Sequence, residues 1–264
     1  MRRQVLLFLV AIQFLTRLPV PQSAGFQTSW LSESARFFPV VGALVGAIAV
    51  GIWWLAALIF PPLVAVGLMM SGSLLLTGAF HEDGFADVCD GFGGGRSRDA
   101  VLAIMKDSRI GAFGAIGVAM LLGLKWSILV SLPYAPFPTI VIGAHMVSRW
   151  CATSLIWRLP YVRADADAKS KPLADSLSGA DWLMSGVLGM LLLLPVLVLI
   201  EPAARSQVIL ALLAALALSG VTTLSAALYF KSRIGGYTGD CLGATQQLAE
   251  LSFLLAALGV LGAS

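Results

Sequence analysis

Charged residues are scarce in this chain. Only 12% of its 264 residues are Asp, Glu, Lys or Arg, which is about half the fraction typical of a soluble domain. Hydrophobic residues make up 58%, and the mean hydropathy is +0.90. This balance excludes an ordinary soluble protein and predicts an all-α fold, a polytopic integral membrane helical bundle.

Cysteine and histidine are also rare, with three and two residues. Cys89, Cys151 and Cys241 are too few and too scattered to form a disulfide framework or a CxxC zinc site. No Ser-His-Asp arrangement or Walker loop is present in the sequence. The net charge of +3 is modest, and no basic-aromatic pattern occurs, so nucleic acid is not an expected partner.

The chain is rich instead in long apolar segments. Most of them are long enough to cross about 30 Å of hydrocarbon as a helix. We therefore predict about six to eight transmembrane helices in a single membrane-embedded domain over residues 1–264. The segments are 5–20, 39–60, 62–80, 110–132, 136–157, 183–200, 206–230 and 246–263.

The first apolar segment differs from the others. A helix crossing the membrane at 5–20 would put Arg2 and Arg3 on the wrong side and would bury Arg17 in hydrocarbon, which is costly. We predict instead that residues 1–22 form an interfacial or re-entrant helix ended by two prolines.

Lys and Arg are unevenly shared between the connecting segments. The short turns at 61–62, 133–136 and 201–205 hold only Arg205. Because cytoplasmic loops carry the excess of Lys and Arg, the long polar segments are expected to face the cytoplasm. Those segments are 22–38, 81–109, 158–182 and 231–245, and they hold Arg36, Arg96, Arg98, Lys106, Arg109, Arg158, Arg163, Lys169, Lys171, Lys231 and Arg233.

The stretch from His81 to Gly91 directly follows an apolar segment and holds four of the 14 acidic residues. If the apolar helix continues through it, Asp83, Asp87 and Asp90 line one face and repel one another unless a cation lies among them. Oxygen ligands of this kind suit Mg²⁺, with Mn²⁺ as a substitute. A merely solvated acidic helix end is disfavoured, because acids at a helix C-terminus oppose the macrodipole.

The segment that follows the acids contains three consecutive glycines and two arginines. Bare backbone N–H groups beside Arg96 and Arg98 are a combination that binds phosphate. The alternative is a flexible turn between helices. A metal site nearby favours phosphate, because a divalent cation held by few carboxylates usually completes its shell with substrate phosphates.

Two further polar islands precede apolar segments. In the first, Lys106 and Arg109 can neutralise phosphate charge and Asp107 can act as a ligand or a base, although such boundary residues also snorkel without another role. In the second, 231–245, four glycines around Asp240 let a backbone approach a bulky ligand closely.

Two charged residues fall inside apolar segments. Arg149 is costly facing lipid, and we expect it to face an anionic substrate. Glu250 needs either a late helix start or a position lining a cavity.

Five short blocks, in this order, resemble the signature blocks of the cobalamin synthase family, the adenosylcobinamide-GDP ribazoletransferases. One short block can arise by chance, but five in sequence make the resemblance specific. The blocks are Phe14-Leu15-Thr16-Arg17-Leu18-Pro19, Phe38-Pro39-Val40-Val41-Gly42, His81-Glu82-Asp83-Gly84-Phe85-Ala86-Asp87 followed by Asp90-Gly91, Lys106-Asp107-Ser108-Arg109-Ile110-Gly111, and Gly235-Gly236-Tyr237-Thr238-Gly239-Asp240.

The resemblance implies a Mg²⁺-dependent integral enzyme of the bacterial inner membrane, and the distribution of Lys and Arg puts its active site on the cytoplasmic face. Members of the family join adenosylcobinamide-GDP to α-ribazole, or to its 5′-phosphate, and release GMP. A pyrophosphate donor agrees with the residue patterns, since a divalent cation and cationic side chains stabilise charge on a leaving phosphate. Small residues such as those from Gly42 to Gly46 permit close helix packing within a subunit or in a homo-oligomer.

Together, the patterns and the resemblance give a hypothesis for the site. Asp83, Asp87 and Asp90 hold the metal, and Glu82 is an added ligand or base. The other candidates are Asp107 as a further catalytic group, and Arg96, Arg98, Lys106, Arg109, Arg149, Gly236 and Asp240 as substrate-binding residues.

Two other functions stay open at this point. A CDP-alcohol phosphotransferase also holds a metal with an acidic motif, and Asp87-Val88-Cys89-Asp90-Gly91 matches the opening of that motif, but its Ala-Arg pair and trailing Asp pair are missing. A cation transporter would use the acids as an ion path. Against it, the acids lie on one face, and several apolar segments carry almost no charge.

Overall fold

The computed structural model describes residues 2–21, 29–162, 177–198 and 200–262. Nearly all of the regular structure in these residues is helical, apart from an isolated parallel bridge between Tyr161 and Tyr237. The helices are α1 (Arg2–Leu15), α2 (Ser29–Ser34), a 3₁₀ turn (Ala35–Phe37), α3 (Phe38–Ala57), α4 (Pro62–Thr77), α5 (Phe80–Gly94), α6 (Arg98–Met105), α7 (Ala112–Ser131), α8 (Phe137–Arg158), α9 (Gly179–Val198), α10 (Pro202–Ile234) and α11 (Gly239–Leu261).

Six helices of the described chain are long and apolar enough to cross a membrane, and the pair α4–α5 makes a seventh if it is one bent span. The six are the run from Trp30 to Ala57, which ends with α3, and the five helices α7 to α11. This confirms the prediction of a polytopic all-α bundle. The most buried of them is α8, which packs against α3, α9, α10 and α11 and so forms the centre of the bundle.

The N-terminal helix α1 is too short to span a membrane. Its 14 residues rise about 21 Å, less than the roughly 30 Å of hydrocarbon. It packs against α2 and α3, and Arg3 forms an ion pair with Glu33 at 2.8 Å. The short length of α1 therefore favours the predicted interfacial position, which stays a prediction.

The sequence predicted that the apolar helix of segment 62–80 continues into the acidic stretch. In the structure it does not. Helix α4 ends at Thr77, and the chain turns by 87° before α5 begins. Gly78 and Ala79 form this corner, both in the left-handed region, with φ of 67° and 54°. The N–H of Arg17 donates to the carbonyl of Leu76 at 2.7 Å, so the segment after α1 braces the corner.

We expect the Gly78→Ala variant to lose about 1–2 kcal/mol of stability, because a Cβ is disfavoured at positive φ and would overlap the Arg17 guanidinium. The measurement is thermal unfolding in detergent, followed by tryptophan fluorescence. The matched control is Gly51→Ala in α3, where a Cβ meets open space. Equal unfolding temperatures for the two variants would show that the corner is not strained by a side chain.

The last helix begins earlier than hydropathy suggests. Residues 246–263 were the predicted segment, yet α11 starts at Gly239, where the Thr238 side chain caps it by accepting a hydrogen bond from the Cys241 N–H at 3.3 Å. The first two turns of α11 therefore carry the polar glycine-rich motif into the bundle.

The small residues Gly42 and Gly46 serve packing inside the chain. A Cβ at Gly42 would overlap the carbonyl of His145, and one at Gly46 would lie 2.8 Å from the Cα of Ile142. These glycines let α3 approach the central helix α8, so their pattern needs no second subunit to explain it.

Candidate functional site

Helices α5 and α11 cross with almost no space between their backbones. A Cβ at Gly84 would lie 3.0 Å from the Cα of Asp240, and one at Gly243 would lie 3.0 Å from the carbonyl oxygen of His81. Only glycine fits such an approach without a shift of one helix. The crossing therefore brings the first turn of α11 against the acidic helix.

Four carboxylates lie in this part of the bundle, which we call the acidic crossing: Asp83, Asp87 and Asp90 on α5, and Asp240 on α11. Asp87 lies at its centre, half-buried, where the charges of Asp83, Asp90 and Asp240 all act on it. The helical spacing of the three α5 residues agrees with the predicted shared face. Asp240, predicted only as a substrate-binding residue, thus belongs to the same cluster.

The acidic crossing is not a closed metal cage. Among the described residues, no three His, Cys, Asp or Glu side chains are grouped closely enough to hold an ion by themselves. The donor set nevertheless fits Mg²⁺, which prefers oxygen and is commonly bound by one or two carboxylates together with substrate phosphates and water.

The acidic stretch begins a new helix and does not end the preceding one. Glu82 and Asp83 occupy the first turn of α5, where the helix dipole stabilises negative charge. The prediction that the acids oppose a macrodipole was therefore wrong for Glu82 and Asp83, because it assumed that the apolar helix continues through them. Repulsion between the carboxylates of the acidic crossing remains the reason to expect a cation.

Asp90 also holds the start of α7. Its two carboxylate oxygens accept hydrogen bonds from the N–H groups of Gly111 and Gly114, at 2.7 and 2.8 Å. Backbone donors and the helix dipole both stabilise its charge. Asp90 thus ties the acidic crossing to the Lys106–Gly111 segment, a connection that the sequence did not predict.

Glu82 points to a different part of the molecule. One of its oxygens accepts a hydrogen bond from Gln247 Nε2 at 2.8 Å, and the other is buried without a partner among the described residues. Glu82 lines a cavity of about 30 Å³ together with Lys125, His145 and Glu250. Its role as an added metal ligand or base stays a prediction, and in the structure its carboxylate lies beside the buried charges of the interior.

A buried ionic network occupies the interior next to Glu82. Lys125 and Glu250 form an ion pair at 2.5 Å, with both side chains less than a tenth exposed. Gln246 donates to Glu250 at 2.5 Å, and Lys125 donates to Gln247 at 3.1 Å. Glu250 therefore lines a cavity, one of the two arrangements expected for it, and its charge is compensated.

Arg149 belongs to this network and not to the acidic crossing. It is 2% exposed, and its Nη1 donates to the carbonyl of His145 at 2.8 Å. Its Nε has no partner among the described residues. The expectation that Arg149 meets an anionic substrate therefore remains a prediction, and the structure gives it an anchoring role within α8.

The glycine-rich segment is partly helical. Helix α5 continues through Gly93 and ends at Gly94, and α6 begins after Ser97, whose hydroxyl accepts from the Ala100 N–H at 3.2 Å. Arg96 and Arg98 are exposed on either side of that cap. They are thus available at the same end of the bundle as the acidic crossing.

Arg233 is a cation that the sequence analysis did not select. Its Nη2 donates to the carbonyl of Gly95 at 3.0 Å, and its guanidinium lies 5.8 Å from the centre of the Phe92 ring. It therefore fixes the end of α5 to α10. Its position in the polar island 231–245 was the sequence feature from which its role could have been predicted.

Asp107 and Arg109 pair with each other at the surface. Their closest atoms are 2.5 Å apart, and the hydrogen bonds from the Arg109 side chain and backbone lower the pKa of Asp107 to about 2. A carboxylate of such low proton affinity is a weak base. The role of Asp107 as a catalytic base is thus less favoured than a role in holding Arg109.

We expect the Asp107→Asn variant to keep the acid limb of the pH–rate profile of the wild type. The folded-state pKa of Asp107 is depressed, so the group stays ionised at every pH above about 2 and does not titrate between pH 4 and 8. The measurement is the pH dependence of turnover for both proteins. A shift of the acid limb in the variant would restore Asp107 as a titrating catalytic group.

Gly236 is explained by backbone contacts. The N–H of Tyr237 donates to the carbonyl of Pro160 at 3.0 Å, and the N–H of Val162 donates to the carbonyl of Tyr237 at 2.8 Å. A Cβ at Gly236 would overlap the Pro160 carbonyl. Close approach is needed there, and the chain that follows α8 is the neighbour in the structure, so a contact of Gly236 with substrate stays a prediction.

The fold and this end of the bundle define a class of protein: a polytopic helical membrane protein that gathers carboxylates and cations at one end. The chain belongs to the cobalamin-5-phosphate synthase family, whose sequence model matches residues 7–258. This confirms the resemblance found from the five sequence blocks.

The chain is similar over nearly its whole length to proteins named adenosylcobinamide-GDP ribazoletransferase. The protein from Leptothrix cholodnii is 44% identical over 94% of this chain and 93% of its own. The one from Ralstonia pickettii is 44% identical over 92% and 91%, and the one from Shewanella frigidimarina is 42% identical over 98% and 96%. No solved structure matches the chain.

Proposed function

We propose that this protein is an adenosylcobinamide-GDP ribazoletransferase. It transfers the adenosylcobinamide phosphate group from adenosylcobinamide-GDP to α-ribazole or its 5′-phosphate and releases GMP. The family and the names of the relatives support this reaction. The observation that carries it within the chain is the acidic crossing, which gathers oxygen ligands where exposed arginines also lie.

The reaction forms one P–O bond and breaks another. A ribose hydroxyl of the acceptor attacks the cobinamide-linked phosphorus, the bridging P–O bond to GMP breaks, and the hydroxyl proton leaves to a carboxylate of the acidic crossing. Arg96, Arg98 and Arg109 stabilise the charge that grows on the departing GMP. Asp87 is the acid that we place at the centre of this site, since the charges of three other carboxylates act on it.

Mg²⁺ is the proposed cofactor, with Mn²⁺ as a substitute. One or two of Asp83, Asp87 and Asp240 would hold it together with substrate phosphates, and bound there it would supply Lewis-acid stabilisation of the pyrophosphate. Asp90, the third acid of the predicted set, has both carboxylate oxygens bound to N–H groups at the start of α7 and so fixes α5 against α7.

We also propose that the acidic crossing faces the cytoplasm from a bacterial inner membrane. Arg96, Arg98, Arg109 and Lys231 are exposed at this end of the bundle, whereas Arg205 lies in the first turn of α10 at the other end. The positive-inside rule supports this orientation. Arg163, Lys169 and Lys171, on which the rule also drew, lie outside the described residues.

The experiment is a turnover assay on detergent-purified protein with adenosylcobinamide-GDP, α-ribazole or its phosphate, and Mg²⁺. The expected result is metal-dependent formation of GMP and a corrinoid product in equal amounts. CDP-diacylglycerol with an alcohol is tested in parallel, and release of CMP would replace the proposal with a phospholipid-synthesis activity. Absence of nucleotide release from both donors would reject the transferase function.

A further inference from the structure

A second concave region lies away from the acidic crossing. It is a groove of about 690 Å³ over α8, between α9 and α10, and it opens at the same end of the bundle. None of the acidic-crossing residues lines it. The groove is therefore separate from the proposed active site.

Three tryptophans form one wall of the groove. The Trp182 ring is stacked between those of Trp150 and Trp157, with centroid distances of 4.8 and 4.5 Å. The indole N–H of Trp182 donates to Ser154 at 3.1 Å, which fixes the middle ring. Tryptophans of this kind are enriched at the membrane–water interface, so the wall marks the depth of the headgroups.

The opposite wall is apolar and open to the surroundings of the bundle. It follows α10 from Leu216 to Lys231, which is about 22 Å along the helix axis. Gly220, Leu224 and Leu228 on this wall are exposed. A length of this size matches one leaflet from headgroup to mid-bilayer, and it is longer than a single nucleoside.

Among the described residues, the charged side chains that line the groove are cationic. Arg158 lies at the end of α8, with its guanidinium 3.8 Å from the centre of the Trp157 ring, and Lys231 lies near the end of α10. The part of the lining that the structure describes contains no acidic residue. The groove thus has an apolar body and a positive end, which is complementary to one anionic amphiphile.

We propose that this groove binds an anionic glycerophospholipid of the leaflet on the side of the acidic crossing. The phosphate lies between Arg158 and Lys231, and the acyl chains follow α10 from Leu228 toward Leu216. Basic pockets between transmembrane helices bind acidic headgroups in this way, and each cation near the surface adds to the preference for negative charge.

The first test is native mass spectrometry of the full chain released from micelles doped with equal amounts of phosphatidylglycerol and phosphatidylcholine. The wild type is expected to retain one phosphatidylglycerol in preference to phosphatidylcholine. The double variant Arg158→Gln/Lys231→Gln is expected to lose that preference by about tenfold or more. The matched control, Arg205→Gln, removes a cation at the other end of the bundle and keeps the preference.

A second variant tests the groove by shape and not by charge. Gly220→Leu places a side chain into the groove where a Cβ meets open space, so it is expected to lower lipid retention and leave the fold intact. Gly123→Leu is the control, because Gly123 is also exposed with open space around it but lies on α7. Lower retention in Gly220→Leu alone supports the groove as the binding site.

Three results would overturn the proposal. They are equal retention of the two lipids by the wild type, an unchanged preference in the double variant, and displacement of the retained lipid by free α-ribazole, which would assign the groove to the nucleoside. All of these readouts are independent of turnover, so a failure here would leave the proposed transferase activity standing.

Discussion

Turnover is expected to fall by roughly 10²–10⁴-fold in the Asp87→Asn variant, the range associated with the loss of a central acid–base or ligand group. Asp87 lies where the charges of Asp83, Asp90 and Asp240 converge, so its amide would weaken both the binding of a divalent cation and proton transfer. The measurement is GMP release as a function of Mg²⁺ concentration.

The same variant should unfold at a higher temperature than the wild type in buffer without divalent ions. Removing one charge relieves repulsion among the four carboxylates, so the loss of activity would come with a gain in stability. Asp99→Asn is the matched control, because Asp99 is an exposed carboxylate in the first turn of α6. Activity at the level of the wild type in Asp87→Asn would remove this residue from the site.

The second large effect is expected in the buried network. Lys125→Met leaves Glu250 without its ion-pair partner in the interior, and such a change typically costs about 3–5 kcal/mol. Lys125→Met/Glu250→Gln removes both charges and should recover much of that loss. Thermal unfolding in detergent of the wild type, both single variants and the double variant closes a double-mutant cycle.

The interaction between Lys125 and Glu250 is measured by comparing the stability losses of the single variants with that of the double variant. Additive losses would mean that the two side chains do not interact, in contradiction to their 2.5 Å contact. Activity measured on the same proteins shows whether the network also positions α5 through Gln247 and Glu82.

Local patterns predicted the membrane helices well, because an apolar helix in lipid satisfies its own backbone and needs no tertiary partner to be recognised. The failures lie where a short-range conformation interrupts the pattern. Gly78 and Ala79 turn the chain by 87° within an otherwise apolar segment. The glycine was a usable signal for a helix end, whereas nothing in the sequence marks an alanine at positive φ.

The candidate site divides in the same way. The shared face of Asp83, Asp87 and Asp90 was predictable, because it depends only on their spacing along one helix. The addition of Asp240 depends on the contact of two glycines far apart in the chain, which a single sequence does not reveal. Glu82 and Arg149 were assigned to the site because of their charge. In the structure, Glu82 lines the same cavity as Glu250, and the charge of Glu250 acts on Arg149.

The network was missed for a related reason. Lys125 is the one charged residue in the segment 110–132, and a lone ionisable group within a span is a signal for a buried partner. Its partner Glu250 was noted separately, but periodicity along one helix gives no distance to another.

The packing of α5 has a consequence for how this protein tolerates mutation. Its contacts with α11 and α7 run through positions without side chains, at Gly84, Gly243, Gly114 and Gly117, where an added methyl would meet a backbone or a side chain at 3.0 Å or less. In most helices the intolerant positions are the bulky ones. A saturation scan of this chain should show the reverse around α5: the large residues Phe85 and Phe92, only partly buried, should accept other apolar residues, while alanine at these glycines should be rejected.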